Sequence, residues 1–188
     1  MSGRDLFKIF KVVINFFVFI VRPFPKCIKK FLYEICSIIP TNIGVFLRYI
    51  ILKSQAASVG DNVYIARYVI IKNPEKLIIG SNVSIHEFCY IDAEGGITIG
   101  DDVSIAHNSS FISFEHTWED LNTTIKYNKL TLDKIFIGSD VWIGCGVRIL
   151  AGVKVSNRSV VGAGSVLNKQ YPSNVVIVGT PGRVIKEI

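Results

Sequence analysis

Apolar side chains recur at every sixth position along most of the chain, and several of them are followed by glycine. The clearest stretch runs from Ile137 to Leu167, and earlier runs begin at Val59, Ile79 and Ile99. A six-residue step matches neither the period of an amphipathic helix nor the two-residue alternation of an ordinary strand. It is typical of a parallel β-helix, in which short strands form the flat faces of a coiled prism.

Grouping three hexapeptides per coil divides the pattern into about five coils, at 59–76, 79–96, 99–116, 137–154 and 155–172. Two additional residues stand before the second coil and two before the third, outside the six-residue step. We expect them to lie at a corner of the prism, where they do not disturb the stacking of the strands. The fifth position of each hexapeptide is mostly small or β-branched, as a narrow interior requires. These residues are Val63, Val69, Val83, Cys89, Val103, Ser109, Val141, Val147, Val153, Ser159 and Ser165. The pattern predicts an all-β solenoid domain over 55–188.

One long interruption, residues 117–136, lacks the six-residue step and is largely polar. Long loops that leave a regular scaffold are more often functional than ornamental. Glu115 and His116 stand immediately before this loop. Both residues therefore stand at the mouth of a candidate functional loop, and an ordinary surface histidine is the alternative for His116.

The first 54 residues lack the repeat and predict a helical extension. Residues 6–21 are very apolar. A spanning helix needs about 20 apolar residues, however, and the uncharged part of this segment, after Lys11, is shorter than that. A signal peptide would carry small residues at its cleavage site after the apolar segment. Residues 22–25 contain two prolines at this place instead, so we expect no cleaved signal. Residues 26–39 predict an amphipathic helix whose apolar face comprises Ile28, Phe31, Leu32, Ile35 and Ile39.

The net charge of +6 is concentrated in this extension. Residues 1–53 contain nine Lys or Arg and two acidic residues, a balance of +7, which leaves −1 for the rest of the chain. A nucleic-acid-binding protein would carry its basic charge on the folded domain, so we expect no nucleic-acid partner. Two alternatives remain for residues 1–53: peripheral contact with a membrane, or packing on the solenoid or in an oligomer interface. The four cysteines show neither zinc-type spacing nor a paired framework, which favours reduced thiols in a cytosol.

Residues 137–188 contain the motif VWIG, a GAGS segment and a tail of the form G-x-P-x-R-V-I, and upstream stand IGDDVSIA and EHT. With these motifs, residues 59–188 resemble the hexapeptide-repeat acetyltransferases, which include galactoside, maltose, serine and xenobiotic acetyltransferases and the O-acetyltransferases of surface polysaccharides. The resemblance implies a left-handed β-helix, a homotrimer with active sites in the grooves between subunits, acetyl-CoA as the acyl donor and no metal.

The resemblance also implies roles for individual residues. His116 matches the catalytic histidine, a general base that takes a proton from the acceptor while the acceptor attacks the thioester. Glu115, His86 and Asp92 are candidates for binding the acceptor, and orienting the histidine is a second role for Glu115. His86 stands where sugar acetyltransferases carry asparagine. An ordinary structural role is the alternative for each of these three. The positions that match the coenzyme site are Trp142, Gly144, Cys145, Ala163, Gly164, Asn168, Lys169, Arg183 and Lys186.

We therefore expect an acetyl-CoA-dependent O-acetyltransferase that acts on a sugar hydroxyl in surface-polysaccharide synthesis, in the cytoplasm or at the inner face of its membrane. A small soluble acceptor, such as a free sugar, serine or an antibiotic, is the alternative within the family. Trimeric β-helix carbonic anhydrases bind zinc through three histidines, but His86, His107 and His116 have a different spacing. The non-enzymatic alternative is a scaffold at a membrane.

Overall fold

The computed structural model describes residues 3–188 and consists of three helices followed by a β-solenoid. The helices are α1 (Gly3–Val21), α2 (Lys26–Cys36) and α3 (Thr41–Gln55), and two short 3₁₀ turns cover Pro74–Lys76 and Ile125–Tyr127. The helical extension predicted for residues 1–54 is thus three helices joined by short proline-containing turns. In residues 3–188, no helix has the length and hydropathy that crossing a bilayer requires.

Twenty short strands follow, most of only two or three residues. In chain order they are β1 (Ser58–Val59), β2 (Tyr64–Ile65), β3 (Ile70–Lys72), β4 (Leu77–Ile79), β5 (Ser84–Ile85), β6 (Tyr90–Asp92), β7 (Ile97–Ile99), β8 (Ser104–Ile105), β9 (Ser110–Ile112), β10 (Phe114–His116), β11 (Leu130–Leu132), β12 (Ile135–Ile137), β13 (Val141–Ile143), β14 (Arg148–Ile149), β15 (Lys154–Val155), β16 (Ser159–Val161), β17 (Val166–Leu167), β18 (Gln170–Tyr171), β19 (Val175–Val178) and β20 (Arg183–Glu187).

The strands stack into three parallel sheets, one for each face of a triangular prism. We call them sheet A (β1-β4-β7-β12-β15-β18), sheet B (β2-β5-β8-β13-β16-β19) and sheet C (β3-β6-β9-β14-β17). The chain passes from A to B to C in every turn, so the prism has an A/B, a B/C and a C/A corner. Five turns are complete, and β18 and β19 add an incomplete sixth beyond the five that the repeat indicates. Strand β20 pairs antiparallel with β19 at the edge of sheet B.

The predicted interior is confirmed. All eleven small or β-branched fifth-position residues are buried, and of the residues at six-residue steps only Ile71 is less than fully buried. The two additional residues before the second coil and the two before the third enlarge the C/A corner and bring one further aliphatic residue into the core at each place, Leu77 and Ile97. Ile135 continues this ladder in register with Ile97, so residues 135 and 136 belong to the solenoid and not to the loop.

The third coil ends at Ser113, three residues earlier than the repeat predicts. Ser113 is fully buried and donates a hydrogen bond to the backbone oxygen of Asp92, whereas the next three residues leave the prism as β10. The segment outside the solenoid therefore covers residues 114–134, which we call the excursion. Glu115 occupies a fifth position of the sequence pattern but is exposed, because the chain has already left the coil.

Arg48 of α3 joins the helices to the solenoid. Its guanidinium is almost completely buried and donates hydrogen bonds to the backbone oxygens of Cys36 (2.8 Å), Ile39 (2.8 Å) and Ile65 (2.9 Å). The first two oxygens lie at and just beyond the end of α2, and the third lies at the end of β2. The Cys36 oxygen also accepts from the Ile39 amide at 3.3 Å, and Arg48 adds a charged donor to each of the three carbonyl groups.

Candidate active site

His116 is held in a two-stranded hairpin at the C/A corner. Strands β10 and β11 pair antiparallel with His116 opposite Leu130, and Thr117 extends the pairing through its backbone and hydroxyl bonds to Lys129. The His116 imidazole is exposed, and its ring stands edge-on to that of Phe114 at 6.5 Å between centroids. The backbone is fixed while the imidazole stays accessible, as a general base that meets an external substrate requires.

Glu115 projects from the opposite side of the same ribbon, because successive side chains of a strand alternate. It is exposed, as is His116. This alternation argues against Glu115 orienting the imidazole from within the same hairpin. Its predicted contact with the acceptor stays a prediction.

Asn128 organises the outer part of the excursion, a role that the sequence analysis missed. Its side-chain amide is buried and donates to the backbone oxygens of Thr123 (2.8 Å) and Asp120 (3.2 Å), while its oxygen accepts from the Asp120 amide. The Asp120 carboxylate accepts hydrogen bonds from the Thr123 hydroxyl and the Asn122 amide, and these two bonds lower its pKa. The sequence does not indicate which asparagine of a polar stretch will hold the loop together through hydrogen bonds of its side chain.

Asp92 also lies at the C/A corner, at the end of β6, but its carboxylate is already engaged. Asn73 donates to one oxygen at 2.7 Å and the Tyr90 hydroxyl to the other at 3.2 Å, and the side chain is 5% exposed. These contacts favour the alternative of a structural role in the corner. Contact between Asp92 and the acceptor stays a prediction.

The B/C corner changes composition along the solenoid. The same three corner positions hold Ala66 to Tyr68 in the first turn and His86 to Phe88 in the second, but Gly144 to Gly146 and Gly162 to Gly164 in the fourth and fifth. The last position has a positive φ in each of these turns, for example +61° at Phe88 and +70° at Gly164. Glycine adopts this conformation without strain, and it also removes the side chain that would cover the corner.

Gly144 is required by the stacking of the coils themselves. A Cβ at this position would lie 2.6 Å from the backbone nitrogen of Ala163 in the next turn. By contrast, a Cβ on Gly164 would meet no atom within 4 Å. The corner formed by Gly144, Cys145, Ala163 and Gly164 is therefore a bare backbone edge on its outer side. An extended chain can approach such an edge closely.

Trp142 and Lys186 lie in one outward row of sheet B. Trp142 pairs with Val160, Val160 with Val176, and Val176 with Lys186. Three strand spacings, about 14 Å, separate the two ends of this row. Both end residues are exposed, as is Arg183 on the same strand β20. An apolar ring at one end and two cations at the other suit a ligand with an extended arm and a phosphorylated end.

The predicted site residues thus fall into two groups on one chain. The B/C corner and sheet B carry Trp142, Gly144, Cys145, Ala163, Gly164, Arg183 and Lys186, with His86 on the same corner two turns earlier. The C/A corner carries Asp92, Glu115 and His116, and Asn168 and Lys169 lie there too, after β17. Sheet C lies between the two groups, and the C-terminal segment links them at the end of the solenoid. The Tyr171 ring, 5.8 Å from the Lys169 ammonium, donates through its hydroxyl to the backbone oxygen of Gly182, next to Arg183.

His86 has aromatic and acidic neighbours. Its ring lies 5.8 Å from that of Tyr64, and its Nδ1 lies 3.9 Å from a carboxylate oxygen of Glu87. In the part of the chain that the structure describes, no three His, Cys, Asp or Glu side chains come together as a set that could hold a metal ion. The four cysteines are all free thiols, and burial raises the pKa of Cys89 to about 11.

The chain is similar to known proteins in both sequence and structure. The family model "Bacterial transferase hexapeptide (six repeats)" matches residues 134–169. A galactoside O-acetyltransferase of Lactococcus lactis is 46% identical over 63 residues, which are 34% of this chain and 28% of that protein. A putative lipopolysaccharide biosynthesis O-acetyltransferase of Escherichia coli, WbbJ, is 38% identical over 77 residues, 40% of this chain and 39% of that protein. The matched segments thus span well under half the length of these curated relatives.

Solved structures match over most of the chain. A maltose O-acetyltransferase from Clostridium difficile superimposes with a TM-score of 0.76 at 29% identity, over 85% of this chain and 84% of that one. A galactoside acetyltransferase in complex with coenzyme A gives a TM-score of 0.75 at 31% identity, over 85% of this chain and 80% of that one. The chain belongs to the hexapeptide-repeat acetyltransferase family and is related to its galactoside and maltose O-acetyltransferases.

Proposed function

We propose that the protein is an acetyl-CoA-dependent O-acetyltransferase whose acceptor is a sugar hydroxyl of a surface-polysaccharide intermediate. The observation that carries the reaction class is the exposed imidazole of His116 on a fixed hairpin, in a chain whose bare B/C corner suits an extended coenzyme arm. The solved galactoside acetyltransferase contains coenzyme A, which supports the same donor here. The likeness to WbbJ supports a polysaccharide acceptor.

His116 takes the proton from the acceptor hydroxyl in this proposal. The oxygen attacks the carbonyl carbon of the acetyl thioester, the carbon–sulfur bond breaks, and the thiol of coenzyme A leaves with a proton returned from the imidazolium. The acceptor is itself the nucleophile, so no acyl-enzyme forms. Cys145 then contributes a small side chain to the corner and has no covalent role.

The division of the site between two corners supports a homotrimer in which neighbouring copies complete each other's sites. The excursion with His116 would reach the B/C corner of the next copy and meet the coenzyme there. The excursion exposes several large apolar residues, which an isolated chain would leave in water. These are Trp118, Leu121, Ile125, Tyr127, Leu130 and Leu132. A contact between copies would bury part of them and stabilise the assembly.

The test measures release of free coenzyme A, and the mass gained by the acceptor, with purified full-length protein, acetyl-CoA and a panel of acceptors. We expect transfer to a glycan fragment or lipid-linked sugar, and His116→Ala should lower kcat/KM by at least ~100-fold, the scale of a lost general base. Glu34→Ala, at an exposed position of α2 outside both corners, is the control and should leave the rate nearly unchanged. Near-normal turnover by His116→Ala would remove this residue from the mechanism.

A soluble acceptor is the second candidate, favoured by the likeness to galactoside and maltose acetyltransferases. The same panel separates the two, because a soluble-sugar enzyme should be saturated by free galactosides or maltose. Mass spectrometry of surface glycans from cells with and without the gene gives the independent answer. Loss of an O-acetyl group from the glycan supports the polysaccharide acceptor, and unchanged glycans contradict it.

A further inference from the structure

The amphipathic helix α2 is docked with much of its apolar face away from the protein. Lys29 is only 7% exposed, and its ammonium donates to the backbone oxygens of Arg22 (3.2 Å) and Ser54 (3.4 Å). Phe31, on the apolar face, is 62% exposed, and Ile28, Ile35 and Ile38 are exposed as well. Burying a lysine while leaving a phenylalanine in water is unfavourable for an isolated chain. The extension therefore keeps apolar surface for something outside this chain.

Helix α1 shows the same feature on a larger scale. A stripe of it packs against the protein through Phe7, Ile14, Val18 and Val21, and the partly exposed ring of Phe17 stands edge-on to Phe46 of α3 at 5.7 Å between centroids. At about 100° per residue, its exposed apolar residues cover roughly half of the helix circumference, in a sector that adjoins this stripe. These residues are Ile9, Phe10, Val12, Val13, Phe16, Phe17, Phe19 and Ile20.

An apolar groove runs beside this sector. It lies between α1 and α3, has a volume of about 620 Å³ and is lined by residues including Phe10, Val13, Ile43, Phe46 and Val63. A groove of this volume and composition accepts a hydrocarbon chain. The exposed sector of α1 and the groove together form what we call the α1 surface.

The positive charge of the extension favours an anionic partner for the α1 surface. Arg4, Lys11 and Lys26 form ion pairs with acidic residues of the solenoid. The extension carries further exposed cations outside these pairs, among them Lys8 and Arg22. A second copy of the chain would bring a surface of the same sign, whereas anionic lipid headgroups offer the opposite charge. No helix within residues 3–188 is long and apolar enough to span a bilayer, so the contact would be interfacial.

We propose that the α1 surface binds the face of a lipid bilayer that contains anionic lipids. Helix α1 lies along the headgroup boundary with its phenylalanines among the acyl chains, and the exposed cations contact the headgroups. The groove between α1 and α3 accommodates part of a lipid chain. Acetyl transfer plays no part in this contact, so the proposal can fail or succeed independently of the proposed function.

Co-sedimentation of the full chain with vesicles tests it. Wild type should bind vesicles made of equal parts phosphatidylcholine and phosphatidylglycerol more tightly than vesicles of phosphatidylcholine alone, and about 0.5 M salt should weaken binding through screening. Phe16→Ser combined with Phe19→Ser should lower the partition constant by at least about 10-fold, because two exposed rings lose their apolar contact. Leu121→Ser is the matched control: Leu121 is 94% exposed but lies on the excursion, and its replacement should leave binding unchanged.

Three results would overturn the proposal. Wild type could fail to bind anionic vesicles, or the double variant could bind as well as wild type. The double variant could also dissolve an oligomer of the free protein without changing vesicle binding, which would assign the α1 surface to a second copy. Phe16 and Phe19 are exposed, so thermal unfolding of the double variant should match wild type and show that the comparison is between folded proteins.

Discussion

The solenoid and the helical extension place their apolar side chains in opposite ways. In the solenoid, consecutive turns stack the same aliphatic positions on one another, and nearly all of them are removed from water. In the extension, α1 and α2 bury one stripe each and leave phenylalanines and isoleucines outside. The solenoid therefore obtains its stability within the chain, whereas the extension is shaped to meet another apolar phase. Substitutions in each region, and at the junction between them, test this difference.

The largest expected effect is in the solenoid core. Phe111 is fully buried, so Phe111→Ala should lower the free energy of unfolding by about 3–5 kcal/mol through lost burial and the cavity left behind. Phe31→Ala on α2 makes the same chemical change at an exposed position and should cost less than about 0.5 kcal/mol. Chemical denaturation measures the free energy of unfolding of both variants. If both lost the same amount, the folding of α2 would depend on its outer face, and the difference between the two regions would not hold.

An intermediate effect is expected at the junction of the two regions. Arg48→Met keeps much of the side-chain volume but removes the charged donor from the backbone oxygens of Cys36, Ile39 and Ile65. We expect a loss of about 2–3 kcal/mol, because buried carbonyl groups lose charged hydrogen bonds. Hydrogen exchange should show loosening of α2 while the later coils stay protected. Uniform loss of protection would mean that the extension and the solenoid unfold as one unit.

The smallest expected effect is at the ion pair that fastens α1. A hydrogen bond from Lys11 lowers the pKa of Asp61 below its ordinary value of about 3.9, and the ionised carboxylate therefore stabilises the docked helix. The contribution is present above the ordinary carboxyl pKa and is lost as the pH falls through the lowered one. Because the pair is partly exposed, we expect less than about 1 kcal/mol.

Hydrogen exchange of the α1 amides at acidic pH, compared with neutral pH, measures this effect. Protection should fall on acidification in wild type. Asp61→Asn removes the titrating group and should show the weaker protection at both pH values. A variant that retained the pH dependence of wild type would assign the effect to another carboxylate.

The solenoid could be predicted in detail from sequence because its coils depend on contacts that repeat at fixed spacing. The eleven small or β-branched positions named from the pattern are all buried. The ends of the excursion were displaced by two or three residues because Ile135 is recognisable as core only from its register with Leu77 and Ile97. The buried carboxylate of Asp92 was also beyond sequence, because its partners come from a neighbouring coil and from its own strand.

The site was predictable in its members but not in their arrangement. The resemblance selected His116 and the bare corner at Gly144 and Gly164, and the structure gives the first a fixed hairpin and the second an open edge. His116 lies at the C/A corner and the two glycines lie at the B/C corner, on opposite sides of sheet C. The repeat alone does not show which corner a residue occupies. Asn128 could not be identified as the residue that holds the loop together, since its partners are backbone oxygens of the folded excursion.

The amino-acid sequence alone predicts the solenoid and its interior, because a local six-residue rule repeats in every coil, and its motifs indicate the family. It also shows that residues 1–53 are basic and apolar. How the helices use those residues depends on the tertiary structure. Helical periodicity gives the faces of α2 but not the direction in which the helix docks, and the hydrogen bonds of Lys29 and Arg48 set that direction. The apolar face turned outward because contacts distant in sequence, and not the pattern along the helix, fixed its orientation.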